Sequence, residues 1–149
     1  MKKAILYLNQ FFGQIGGEDK ADFEPVLEPK PIGSAAVFNG LAKNVKIEQT
    51  LICGDNFMAS HTEEAIDRCL KLREGQDFDI FVAGPAFNAG RYGNACGQIC
   101  KAVQEKFGVV AITSMNVENP GVEMFKKDMY IFQGGGRATA IKNDMTAMA

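Results

Sequence analysis

The stretch that most narrows the choice of folds is residues 78–107, a short apolar run joined through a glycine-rich segment to an amphipathic helix. Ile80, Phe81, Val82 and Ala83 form a continuous apolar run of the length of a strand buried on both faces, as the strands of parallel sheets are. Cys96, Ile99, Cys100, Val103 and Phe107 recur every three or four residues and give a helix one apolar face. Between them, residues 84–93 hold three glycines, a proline, and Phe87, Asn88, Arg91 and Tyr92. A loop that leaves the carboxyl end of a parallel strand and enters a helix N-terminus is where open α/β sheets bind ligands. Such connections ordinarily take about two to six residues, so roughly ten call for a reason, either a site or a solvated turn.

The rest of the chain repeats the same unit. Apolar runs over residues 3–8, 109–113 and 129–132 read as further strands, as does 45–53, which alternates at first and then closes on Leu51-Ile52-Cys53. Helical patterns fall over 34–43, which Ser34 caps and Gly40 weakens, and over a segment opened by the capping box Ser60-His61-Thr62-Glu63 and stopped by Gly75. Two more cover 122–127 and, after Gly134-Gly135-Gly136, residues 137–149. Pro25, Pro29 and Pro31 make 23–31 an extended connector, and Gly54-Asp55-Asn56-Phe57 has turn chemistry. Residues 9–22 are polar and glycine-rich, yet carry Phe11, Phe12 and Ile15, which need something to pack on. Gly16-Gly17 lacks the Lys-Ser/Thr ending of a phosphate loop.

This alternation predicts a single α/β domain over 1–149: a doubly wound, flavodoxin-like parallel sheet of about five strands with helices on both faces. In that fold the loops 9–17, 54–57, 84–93 and 116–121 open on one sheet edge. The candidate binding residues are those the loops bring together: Asn9, Gln10, Asp55, Asn56, Phe87, Asn88, Arg91, Tyr92, Glu118 and Asn119. Arg91 suits a carboxylate or phosphate beside a helix N-terminus, with an ion pair or a solvated arginine as the alternative. The asparagines can orient a polar ligand or simply shape turns. Glu118 is a base or cation partner, or a glutamate facing solvent.

Catalytic and metal chemistry find less support. The four cysteines form no Cys-x-x-Cys pair and read as free thiols of a reducing cytoplasm. Cys96, placed by a helix starting at Gly93 in its first turn, is either a thiolate favoured by the macrodipole or, with Cys100, a core residue. His61 is the single histidine and sits beside a helix cap, so no zinc ligand set, Ser-His-Asp pattern or other self-sufficient catalytic set is expected. A net charge of −2 gives no electrostatic reason for nucleic acid or an anionic membrane as partner. No apolar run approaches the roughly 20 residues of a membrane span. The apolar start ends at Asn9-Gln10, too soon for a secretory signal, so a cytoplasmic protein is expected.

Three segments go beyond generic α/β character: Tyr7-Leu8-Asn9-Gln10-Phe11-Phe12-Gly13-Gln14-Ile15-Gly16-Gly17-Glu18, then Leu51-Ile52-Cys53-Gly54-Asp55-Asn56, then Ala83-Gly84-Pro85-Ala86-Phe87-Asn88-Ala89-Gly90-Arg91-Tyr92-Gly93. With Glu118-Asn119-Pro120-Gly121-Val122-Glu123, they resemble the glycine/sarcosine/betaine reductase family. More narrowly, they are similar to the N-terminal part of the selenocysteine-containing subunit of its component B, selenoprotein B. The resemblance implies anaerobic amino-acid fermentation, in which a complex reductively cleaves the C–N bond of a small amine bearing a carboxylate. It implies other subunits of component B and selenoprotein A as partners, with selenocysteine and a pyruvoyl group as cofactors elsewhere in the complex. Family members continue far beyond this length and carry their selenocysteine there. The 149 residues hold none, so the expectation is a substrate-binding domain of an oxidoreductase complex, inactive by itself. The alternatives are a free-standing flavodoxin-like module binding a nucleotide or flavin, and a scaffold subunit.

Overall fold

The computed structural model describes residues 2–42, 44–73, 78–87, 90–115, 119–125 and 130–133. Gly75, the Gly134-Gly135-Gly136 break and the helix expected over 137–149 lie outside them. The chain forms strands β1 (Lys2–Leu8), β2 (Val26–Glu28), β3 (Val45–Ile52), β4 (Ile80–Ala83), β5 (Val110–Met115) and β6 (Tyr130–Gln133). Its helices are α1 (Ser34–Leu41), α2 (Asp55–Ser60), α3 (Thr62–Arg73), α4 (Gly90–Phe107) and α5 (Pro120–Phe125).

All six strands join one sheet in the order β2-β3-β1-β4-β5-β6. Five are parallel, and β2 closes one edge as an antiparallel partner of β3. Within β1, Ala4, Leu6 and Leu8 face Ala35 and Phe38 of α1. Ile5 and Tyr7 face the opposite side, where Phe57, Ala65, Ile99 and Phe125 bring in α2, α3, α4 and α5. This two-sided burial explains why β4 and most of β1 read as continuous apolar runs, whereas β3 alternates before it closes on Leu51 and Ile52.

Several local expectations are corrected. The proline-rich connector contains β2, because Pro25 and Pro29 flank the three residues that pair with β3 and leave their amides intact. Residues 54–57 are not a turn: Asp55 begins α2, where an acidic side chain suits the helix N-terminus. Ser34 does not cap α1; Gly33, at φ 59°, holds that position without a side-chain bond. Nor does the expected capping box form. Ser60 closes α2, and the Thr62 hydroxyl instead donates to the Met58 carbonyl at 2.8 Å. Finally, α4 begins at Gly90, three residues before Gly93, which puts Arg91 and Tyr92 in its first turn. Six residues remain between β4 and α4, an ordinary length that by itself requires no site.

Candidate functional site

Parallel pairing aligns the carboxyl ends of the strands. Leu8 lies beside Ile52, and Tyr7 beside Ala83, so the segments after β1, β3 and β4 leave from one edge. The described end of β5, with Thr113 beside Ala83, adds the turn at Asn119 to the same edge.

The first part of this edge is a buried polar knot. Asn9 Nδ2 donates to Asp55 Oδ2 at 2.9 Å, and the Asp55 amide donates to Gln10 Oε1 at 2.9 Å. Asn9 Oδ1 accepts from the Phe12 amide at 2.9 Å, which shapes the turn that carries Phe12. Asn9, Gln10 and Asp55 are each no more than 6% exposed. Three sequence-predicted residues thus meet, with Asp55 bonded to both Asn9 and Gln10.

An aromatic cluster lies beside the knot. The Phe12 ring stacks on Tyr92, with centroids 5.7 Å apart and planes 19° apart, and lies 5.4 Å from Phe87. Tyr7 stands 6.5 Å from Tyr92. Phe87 adopts φ 54°, a strained conformation for an aromatic residue, and is nevertheless buried. The Tyr7 and Tyr92 hydroxyls are buried without a hydrogen-bond partner. Burial drives both phenols well above their ordinary value of 10.0, and the neighbouring cysteines and Asp55 add to the rise. The Asn9 main chain offsets the rise at Tyr92 as the smallest contribution, without hydrogen-bond geometry good enough to satisfy the hydroxyl.

Asn119 fastens the next loop. Its Nδ2 donates to the Phe87 carbonyl and its Oδ1 accepts from the Gly121 amide, both at 3.0 Å. Gly93 of α4 packs directly on this amide group. Asn119 is thereby a latch between loops as much as a candidate ligand group. Asn56 turns away from the knot: its side chain donates to Asp22 and meets Ser60. It borders a groove of about 550 Å³ lined by Asp19, Lys20, Asp22, Phe23, Glu24 and Arg68, in which Arg68 pairs with Glu24 at 2.6 Å. Arg91 is exposed in the first turn of α4, one residue before Tyr92. Asn88 and Glu118 lie outside the described residues.

Sequence reasoning did not select Phe12, Tyr7 or Gly93 as site residues. Phe12 had a signal, as an aromatic in a glycine-rich loop. Tyr7 was hidden within an apolar strand. Cys96 also needs correction, since it sits in the second turn of α4 and not the first. Burial, with Cys100 and Asp55, pushes its thiol well above the ordinary 9.0, so no thiolate is favoured there. All four cysteines are buried and form no disulfide. Among the described residues, no group of three or more His, Cys, Asp or Glu is placed to hold a metal ion. No helix of the described residues is long and apolar enough to cross a membrane.

The carboxyl edge of a parallel α/β sheet is where such folds bind ligands, and here that edge gathers amides, a carboxylate and aromatic rings. The family model of the glycine/sarcosine/betaine reductase selenoprotein B matches residues 1–149, and the chain belongs to that family. It is 58% identical over 149 residues to the betaine reductase complex component B subunit beta of Peptoclostridium acidaminophilum, covering 100% of this chain and 34% of that one. Identity is 46% over 148 residues with the glycine reductase complex component B subunit gamma of Carboxydothermus hydrogenoformans, covering 99% of this chain and 34% of the relative. The sarcosine reductase complex component B subunit beta of Peptoclostridium acidaminophilum is 41% identical, with the same coverage. The chain therefore spans about a third of the length of the curated relatives it matches. No solved structure matches it.

Proposed function

We propose that this chain is the part of a component B subunit that binds the amine substrate of a glycine, sarcosine or betaine reductase complex. The observation that carries this reading is the convergence of Asn9, Gln10, Asp55, Phe12, Phe87 and Tyr92 on one sheet edge, in a member of this family. The parallel strands run in the order 2-1-3-4-5, which supports a doubly wound, flavodoxin-like sheet with its crevice beside β1 and β4. The selenol and pyruvoyl chemistry is supplied from elsewhere in the complex, together with the other component B subunits and selenoprotein A. None of the buried cysteines stands in for the selenol. Free thiols support a reducing, cytoplasmic setting.

Arg91 is the residue we assign to the substrate carboxylate. It is exposed in the first turn of an 18-residue helix, where the dipole and the guanidinium act in the same direction. Calorimetry on the assembled complex tests this. A charge-assisted contact contributes about 1.5–3 kcal/mol, so Arg91→Ala should weaken binding roughly ten- to 150-fold. Arg91→Lys should weaken it less, by losing the two-pronged geometry. An unchanged Kd in both variants rules out Arg91 as the carboxylate reader. The same strand order also suits a flavin module, and a colourless protein that gains no absorbance with added flavin counts against that alternative.

A further inference from the structure

The ring cluster raises a question that the carboxylate contact leaves open: what reads the nitrogen end of the ligand. This inference rests on the substrate-binding reading above. Two buried phenol hydroxyls without partners are costly, and such groups persist where something polar comes to meet them. Their rings cluster with Phe12 and, through it, with Phe87, and the Asp55 carboxylate acts on both hydroxyls. Ring faces attract cations whose charge is spread over methyl groups, hydroxyl oxygens accept from ammonium N–H groups, and a nearby carboxylate favours either.

We propose that the cluster of Phe12, Phe87, Tyr92 and Tyr7, beside the Asn9–Asp55 pair, is the seat of the ligand's ammonium group. Phe12 and Phe87 read its N-methyl groups, and the Tyr92 hydroxyl reads its N–H. The rings touch one another, so the seat opens when Phe12 turns aside. Phe12 is the side chain placed to do so, being only half-buried and carried by the turn after β1. Arg91, one residue before Tyr92, leaves the carboxylate of the same ligand at the rim.

The test titrates the assembled complex by calorimetry with glycine, its N-methyl derivative and its N,N,N-trimethyl derivative, and compares ratios of Kd. Phe12→Leu keeps apolar bulk but removes the ring face. It should weaken the trimethyl ligand about two- to thirtyfold relative to glycine. Tyr92→Phe keeps the ring and removes the oxygen. It should weaken glycine about tenfold or more relative to the trimethyl ligand. Because Tyr92→Phe deletes a hydroxyl that has no partner, the Tm of the ligand-free complex should not fall. Ratios unchanged in both variants overturn this inference alone, as does a Tyr92→Phe complex that merely melts earlier, which would make the hydroxyl the anchor of an ordered water. No binding of any of the three ligands by the wild-type complex overturns the substrate-binding reading and this inference together.

Discussion

Gly93→Ala tests the latch at Asn119 more directly than a change at Asn119 itself. An added Cβ would lie 2.5 Å from Asn119 Nδ2 and 2.7 Å from its Cγ, closer than real side chains approach. The amide is held between the Phe87 carbonyl and the Gly121 amide and has to move. Two buried backbone groups then lose their partner, at about 1–3 kcal/mol each. Against this, alanine in a helix is better than glycine by about 1 kcal/mol. The net expectation is a destabilisation of about 1–5 kcal/mol, read as a lower urea midpoint and a Tm lower by several degrees. Gly40→Ala is the matched control: it lies in α1, nothing sits within 4 Å of its added Cβ, and it should stabilise by up to about 1 kcal/mol. In a double-mutant cycle with Asn119→Ala, the two effects should be strongly non-additive. If Gly93→Ala raises the midpoint as Gly40→Ala does, Asn119 is not a latch and the argument fails.

Gly97→Ala should destabilise at least as much, because its Cβ would run into the Phe125 ring that seals α5 against α4; thermal melting is sufficient to see it. Thiol titration should find no rapid reaction in the native protein and four thiols once it is unfolded without reductant, since all four cysteines are buried and unbridged. Stability should also fall in alkali. Cys53, Cys96, Tyr7 and Tyr92 all have folded-state pKa values raised above their ordinary 9.0 and 10.0, so the folded protein holds these protons more tightly than the unfolded chain. Their contribution is complete below about pH 9 and is lost as pH rises beyond it, with a limiting slope of about 1.4 kcal/mol per pH unit for each group. Urea midpoints between pH 8 and 11 check this, and a flat profile refutes it.

The sheet was legible because parallel strands buried on both faces leave uninterrupted apolar runs, as Ile80, Phe81, Val82 and Ala83 do. The α4 face was legible from the spacing of Cys96, Ile99, Cys100 and Val103, all buried on the side of Tyr7. Boundaries were harder to read. Gly54 followed by Asp55 and Asn56 has the composition of a turn, and only its packing against Ala21 and Phe23 turns the segment into a helix start. Gly90 and Gly93 looked like loop residues, although Gly93 is needed inside the helix for lack of a side chain. A pattern of residue types does not record that a neighbouring asparagine takes up that volume.

The same distinction separates the candidate residues by role. Asn9, Gln10 and Asp55 were chosen as groups that could face a ligand, and the fold brings them together at one edge. Hydrogen bonds nevertheless tie them to one another and to the turn that holds Phe12. Asp55, buried and tied to Asn9 through its carboxylate and to Gln10 through its main-chain amide, is a rigid support, and rigid support is what a binding surface made of rings requires. The polar residues that are easiest to spot in the sequence therefore form the frame. Among the groups with unmet chemistry are the hydroxyls of Tyr92, which the sequence offered as a loop residue, and of Tyr7, which apolar patterning had hidden inside a strand. On this division, changing Asn9 should disturb every ligand equally through the position of Phe12, whereas changing Tyr92 should discriminate among them.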